Sequence, residues 1–329
     1  MRIAITGAAG YIGSLLTARL LADGHETIAI DRLLFGGDSL LAFFGHPRFS
    51  FAHRDVTSVD CEDLLGGVDV VYHLAAIVGF PACRDIGEPA ARLFNVEATK
   101  RMFSAAERRG VARFVLASTY SNYGIAKDDR PVTELDALRP QSLYAETKIE
   151  AERYLLERTS GSRCAPIIPR FTTLFGVSPR TRFDLLVNQF VLEALTRRQL
   201  VIYEGDYRRS FVHVRDVVRA LLLFASAPIS DVRGEIFNVG DDTRNHSKSQ
   251  IVEMVCAAIP GTAVEHREVS FGGDMRDVAV SCAKIASRLG FRAAIGVPEG
   301  IAEVRDAIVS GLIHEPSSAR YRNHSFSVQ

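Results

Sequence analysis

The chain has no surplus of charge. Lys and Arg total 39 and Asp and Glu total 39, so the formal net charge is zero. Nothing in such a balance asks for nucleic acid or an acidic membrane as partner. Apolar runs are short, and none reaches the roughly 18 to 20 residues that span a bilayer. The opening run Arg2-Ile3-Ala4-Ile5-Thr6 ends at a glycine and has no long apolar core or cleavage site, so it reads as a strand rather than a secretory signal. The five cysteines (Cys61, Cys83, Cys164, Cys256 and Cys282) are scattered and odd in number. No pair has metal or redox spacing, which excludes a disulfide framework and leaves no expected metal site. A reducing, cytoplasmic setting is expected, with the cysteines as small core residues. Internal repeats and low-complexity linkers are also absent.

What is present is ordinary globular composition: 329 residues, 47% apolar and 24% charged. That suits one large α/β unit, or a nucleotide-binding domain with a smaller lobe. β-like runs at Arg2–Thr6, Thr27–Ile30, Phe49–His53, Val68–His73 and Arg113–Ser118 alternate with helical patterns at Gly13–Asp23, Ala91–Arg109 and Ser142–Arg158. The strands lack apolar/polar alternation, as expected of strands buried on both faces. Alternating β and α predicts a parallel, doubly wound sheet. Further on, Phe183–Arg198 and Asp216–Ser226 read as helices and Glu235–Val239 as a strand. Cys164–Arg170 also reads as a strand, although Pro166 and Pro169 would interrupt a central ladder. The polar tail beyond about Pro316 is expected to fray.

Thr6-Gly7-Ala8-Ala9-Gly10-Tyr11-Ile12-Gly13 follows the first strand and opens a helix. In that context Gly7 permits a tight turn, Gly10 lets backbone approach a pyrophosphate, and Gly13 lets helix and strand pack closely. The helix N-terminus offers unpaired N–H groups and a positive dipole to phosphates. The spacing is G-x-x-G-x-x-G, and a glycine trio by itself also marks plain turns. Asp31 adds context: it closes the second strand 18 residues after Gly13. There a carboxylate accepts the ribose hydroxyls and repels a 2′-phosphate, so the expected cofactor is NAD. The neighbouring Arg32 could soften that preference.

Tyr144 and Lys148 are four residues apart in a predicted helix and so share one face. A free tyrosine, with a pKa near 10, is a poor base at neutral pH, but a nearby ammonium stabilises its phenolate. Tyr144 would then exchange a proton with a substrate hydroxyl while the nicotinamide takes hydride. A surface helix can carry such a pair by chance.

Taken together, the glycine motif, the Tyr-x-x-x-Lys pair and the chain length resemble the extended branch of the short-chain dehydrogenase/reductase superfamily, over nearly the whole chain. The resemblance implies a Rossmann-type α/β fold with a smaller mixed C-terminal substrate lobe. The cofactor domain would be 1–170 with a return segment about 212–245, and the substrate lobe 171–211 and 246–329. It implies cofactor contacts from Gly7, Ala9, Gly10, Tyr11, Ile12, Asp31, Arg32, the pair Asp55-Val56 (adenine), Leu74-Ala75-Ala76 after the fourth strand, Asn95, Tyr144 and Lys148. In Ser118-Thr119-Tyr120-Ser121-Asn122-Tyr123-Gly124 it implies Thr119 as the third catalytic residue, with Ser118 as the competing candidate.

Extended members usually act on nucleotide-diphosphate sugars. Arg209 and Arg276 resemble diphosphate contacts, and a guanidinium fork suits that group. Asp184 and Asn188 fall in the family's sugar- and base-contacting segment, although a helix N-terminus would equally explain Asp184. Thr173 stands where the family commonly has an asparagine, and Pro81-Ala82-Cys83-Arg84 departs from the usual pocket loop, so an unusual sugar is expected. Sugar 4,6-dehydratases of the family carry Asp-Glu after the catalytic threonine, and the decarboxylases a glutamate in the same stretch. Here Tyr120-Ser121 follows Thr119. The expectation is therefore an NAD-dependent nucleotide-sugar epimerase, most simply at C4. A dehydrogenase or keto-sugar reductase with the same triad is the alternative, and a non-catalytic NAD(P) sensor the remote one. A homodimer through Ala91–Arg109 and Ser142–Arg158 is also implied.

Overall fold

A computed structural model describes residues 1–126, 129–267 and 277–323. Its centre is an eight-stranded parallel sheet formed by β1 (Arg2–Thr6), β2 (Glu26–Asp31), β3 (Phe49–His53), β4 (Val70–His73), β5 (Arg113–Leu116), β6 (Ser118–Thr119), β7 (Ala165–Phe171) and, later in the chain, β11 (Glu235–Val239). The order across the sheet is β11-β7-β5-β4-β1-β2-β3, with β6 continuing the β5 line along β7. The chain thus winds outward from β1 through β2 and β3, returns, and winds the other way from β4. The reversal between β1 and β4 opens a crevice at the carboxyl ends of those strands, where ligands of such sheets bind.

Alternation along each strand feeds two cores. Ile3 and Ile5 face the helices Tyr11–Ala22 and Val214–Ser226, while Ala4 faces Ala98–Arg108 and Leu143–Glu157. The remaining strands are β8 (Thr173–Phe175), β9 (Gln199–Tyr203), β10 (Arg208–His213), β12 (Asn245–Ser247) and β13 (Ala263–Arg267). They form a mixed β12-β10-β8 sheet and a parallel β13-β9 pair. With the helices Leu186–Arg197, Lys248–Ala258 and Val297–Val309 they enclose a third core around Phe183, Phe190, Leu200 and Ile301. No helix among the described residues is long and apolar enough to cross a membrane. All five cysteines are free thiols, four of them buried.

Three expectations need correction, and the strand expected at Cys164–Arg170 forms despite its prolines. Arg113–Ser118 is not one strand: it breaks at Ala117 into β5 and β6. β7 does run through the sheet between β5 and β11 despite two prolines. The Pro166 carbonyl accepts from Gly234 N before β11 begins, and Ile168 and Pro169 fall opposite the β5/β6 break. The missing N–H groups therefore meet gaps in the ladder rather than carbonyls. The helix expected over Ala91–Arg109 is interrupted by a wide π turn at Leu93–Glu97, which carries Asn95. The tail is not frayed up to residue 323: Phe183 N donates to Tyr321 O at 2.9 Å and Asn323 is buried.

Candidate active site

At the sheet reversal lies a cavity of about 520 Å³, a size typical of small-molecule sites. Its floor is the turn after β1. Gly7 has φ +71°, and a Cβ there would lie 2.7 Å from Ala75 N. A Cβ on Gly13 would lie 2.2 Å from Gly7 O, so helix and strand approach as closely as their backbones allow. Gly10 precedes the helix Tyr11–Ala22, whose first turn has no side-chain cap. Its N–H groups thus remain available to an anion. Asp31 closes β2 beside this turn. Its Oδ2 accepts from Ala9 N at 3.0 Å and its Oδ1 from Leu33 N at 2.7 Å. Burial nevertheless pushes its carboxyl above the usual range. Arg32 pairs with Asp55 at 2.9 Å and lies over the Phe94 ring. Its charge is thereby engaged by a carboxylate. Val56, Leu74, Ala75 and Ala76 line the cavity.

Thr119, Tyr144 and Lys148 line the same cavity from two elements, the end of β6 and one helix. Tyr144 and Lys148 stand on the helix Leu143–Glu157, capped by Ser142, whose Oγ accepts from Ala145 N. Lys148 is buried and its Nζ donates to Ala117 O at 2.9 Å, in the break between β5 and β6. Burial pushes its ammonium down to about 8, against the opposing pull of Cys83 and Glu152. Thr119 Oγ1 donates to Ser121 Oγ at 2.9 Å and accepts from Ser121 N. Ser118 is committed elsewhere: its Oγ donates to Glu152, which also accepts from Asn122 and is paired with buried Arg170. This network locks the catalytic-helix candidate to the end of β6 and to β7. It favours Thr119 over Ser118 as the hydroxyl presented to a ligand.

The remaining sequence candidates separate into two groups. Thr173 lines the cavity, its Oγ1 2.5 Å from the Tyr120 hydroxyl. Asp184 lines it too, paired with Arg182 at 2.6 Å. Burial would raise that carboxyl, but the guanidinium outweighs it and holds the group low. Asn95, Asn188, Asp55, Ala9 and Arg209 are not among the lining residues. Asn95 is buried, bonding both backbone groups of Ile77 and Thr147 Oγ1, so it shapes the loop after β4. Asn188 spends its amide on Gly176 and on Arg182 O. Asp55 ties Arg32 and Thr57, while Arg209 is buried on β10. Arg276 lies outside the described residues. Sequence reasoning missed Arg180, Arg182, Arg322 and Asn323, all of which line the cavity. Two arginines set close together between Val177 and Phe183 were a legible signal; the tail pair left none.

The site can hold a dinucleotide: a Cβ-intolerant turn, an uncapped helix start, a carboxylate at the end of β2 and a cavity of suitable size coincide. The model of the NAD-dependent epimerase/dehydratase family matches residues 3–240. A UDP-glucose 4-epimerase of Mycolicibacterium smegmatis is 30% identical over 314 residues, 92% of this chain and 97% of the relative. A dTDP-glucose 4,6-dehydratase of Streptomyces griseus is 30% identical over 309 residues, 91% of each chain. The solved structure of MoeE5 in complex with UDP-glucuronic acid and NAD matches with a TM-score of 0.80 at 31% identity, over 94% of this chain and 100% of that one. Relatives thus include epimerases and dehydratases, and also decarboxylases. The chain belongs to the NAD-dependent epimerase/dehydratase family, within the extended short-chain dehydrogenase/reductase superfamily, and is an NAD-dependent enzyme.

Proposed function

We propose that this enzyme is a nucleotide-diphosphate-sugar epimerase acting at a ring carbinol, in the first place C4. One observation carries the reading. Among the described residues lining the cavity the carboxylates are Asp31 and Asp184, and both are committed, to backbone N–H groups and to Arg182. Beside Thr119, where elimination chemistry needs a carboxylate base to remove a proton, stand Tyr120 and Ser121. For proton transfer at a carbinol the cavity offers the hydroxyl of Thr119, the phenol of Tyr144 and the ammonium of Lys148.

The chain's own steps follow from that set. Thr119 holds the reacting oxygen. Tyr144 takes the carbinol proton and later returns it. Lys148 stabilises the phenolate and the nicotinamide ribose. Gly7, Gly10 and Asp31 would hold NAD, which when bound supplies reversible two-electron oxidation of the carbinol. Return of the hydrogen to the opposite face inverts the centre, with no net redox change. Residues 1–170 and about 212–245 would form the cofactor domain, and 171–211 with 246–329 the substrate lobe. Five free thiols fit a cytoplasmic setting. The helices Ala98–Arg108 and Leu143–Glu157 would form a homodimer interface; a monomer in sedimentation refutes that part.

The test is turnover of a panel of UDP-, dTDP-, GDP- and CDP-sugars in deuterated water, followed by NMR, with UDP-sugars first because MoeE5 is solved with one. Inversion without ring deuteration or net NADH supports the epimerase. Net NADH identifies a dehydrogenase, and deuterium at a ring carbon identifies deprotonation chemistry. Tyr144→Phe is expected to lower turnover about 10²- to 10⁴-fold while NAD binding persists.

A further inference from the structure

Arg180 is a cation with too little to neutralise it. It is 7% exposed and lines the cavity. Its guanidinium lies 4.1 Å from the centre of the Phe35 ring. Nη1 donates to Asn323 Oδ1 and Nη2 to Arg322 O. These acceptors are neutral, and buried Nε has no hydrogen-bond partner among the described residues. Asp31 and Asp184 attract it, but neither forms a salt bridge with it among the described residues, and Asp184 is already paired with Arg182. Burial and the neighbouring Arg182 charge push the guanidinium down to about 10. A desolvated cation with an open donor is costly to keep unless an anion completes it.

Two anionic groups enter a cleft of this kind, the cofactor pyrophosphate and the substrate diphosphate. Position decides between them. Arg180 stacks on Phe35, four residues beyond the ribose carboxylate Asp31, and feels the Asp31 charge. The segment that carries it is bonded to the glycine-loop helix. Tyr11 OH donates to Gly176 O at 2.7 Å, and Ser178 Oγ donates to Tyr11 O at 2.7 Å. That helix start is the other anion-binding element of the cavity. We propose that Arg180 binds the pyrophosphate of NAD, from the side opposite the helix N-terminus at Gly10, with Asn323 holding the guanidinium in place. The cofactor is then gripped between the glycine loop and a segment that follows β8. This rests on the NAD dependence of the family and not on the epimerase reading, so either can fail without the other.

The test is calorimetric titration of cofactor-stripped protein with NAD, ADP-ribose, adenosine and UDP, for wild type, Arg180→Gln, Arg180→Lys and Asn323→Ala. Loss of charge-assisted bonds predicts about 10- to 100-fold weaker binding of NAD and ADP-ribose by Arg180→Gln. Adenosine and UDP should bind as before. Arg180→Lys should recover part of the loss, and Asn323→Ala should show a smaller one. Unchanged NAD affinity overturns the proposal. So does a loss confined to UDP, which would assign Arg180 to the substrate diphosphate. An equal loss for adenosine overturns it too, since the arginine would then act through Phe35 and Asp31 rather than on the anion. Should Arg180→Gln not fold, the Lys and Asn323 variants still separate these outcomes, because both keep a positive charge at position 180.

Discussion

Lys148 carries its charge where burial opposes it. Its ammonium titrates at about 8 in the fold, against 10.5 for an ordinary lysine. Below pH 8 both folded and unfolded chains hold the proton, and the cost of burying it is fully present. Between pH 8 and 10.5 the unfolded chain binds more protons, so stability rises with pH, by up to about 3 kcal/mol from this group. In urea titrations at pH 8 and pH 10, wild type should gain stability relative to Lys148→Met; a constant difference would mean that Lys148 does not titrate there. The opposite case is Glu152, one turn further along the same helix face. It is buried with Arg170, and also accepts from Ser118 and Asn122. Glu152→Gln leaves Arg170 buried without its counter-charge and should cost about 3–5 kcal/mol, read as a lower urea midpoint. A surface-like loss of a few tenths would show that the network relaxes. Tyr144, Lys148 and Asp31 were legible from spacing. Glu152 was not, because its role depends on Arg170 and Ser118, brought to it by β7 and β6.

At the scale of elements, the turn between β1 and its helix has the narrowest tolerance. Gly13→Ala drives a methyl to 2.2 Å from Gly7 O and 2.7 Å from Ala8 Cα, both backbone atoms. The helix must retreat from the strand, at about 1–3 kcal/mol, and the turn at Gly7 to Gly10 opens with it. Thermal melts and NAD titration should both register the change; retention of wild-type NAD affinity would separate helix packing from binding. Alternating elements and their order along the chain could be read from sequence because local periodicity encodes them. The β5/β6 break, the π turn at Asn95 and the accommodation of two prolines in β7 could not. Each is set by a partner remote in sequence: Lys148 on Ala117 O, Ile77 on the Asn95 amide, and the offset start of β11 opposite Pro166.

At the scale of the whole molecule, the cleft is built from both ends of the chain. Residues from the turn after β1 and from the last described stretch, Arg322 and Asn323, line it together, which is why Asn323 escaped a reading that moves locally along the sequence. The hydroxyl of Tyr11 on Gly176 O, with Ser14 and Ser178 side by side at 3.1 Å, fastens the cofactor helix to the segment leading into Arg182 and Asp184. Two ligands that bear on one fastened element share a coupling free energy, and thermodynamics makes it reciprocal. Whatever factor NAD applies to the affinity for a nucleotide sugar, the sugar nucleotide must apply to NAD. Tyr11→Phe, which removes the hydroxyl strut and leaves the ring, should shrink both factors together toward unity. A strut that served stability alone would leave the two factors untouched. Where that factor exceeds one, the enzyme holds its cofactor most firmly while a substrate is aboard, and a turnover cycle is then the least favourable moment to exchange it.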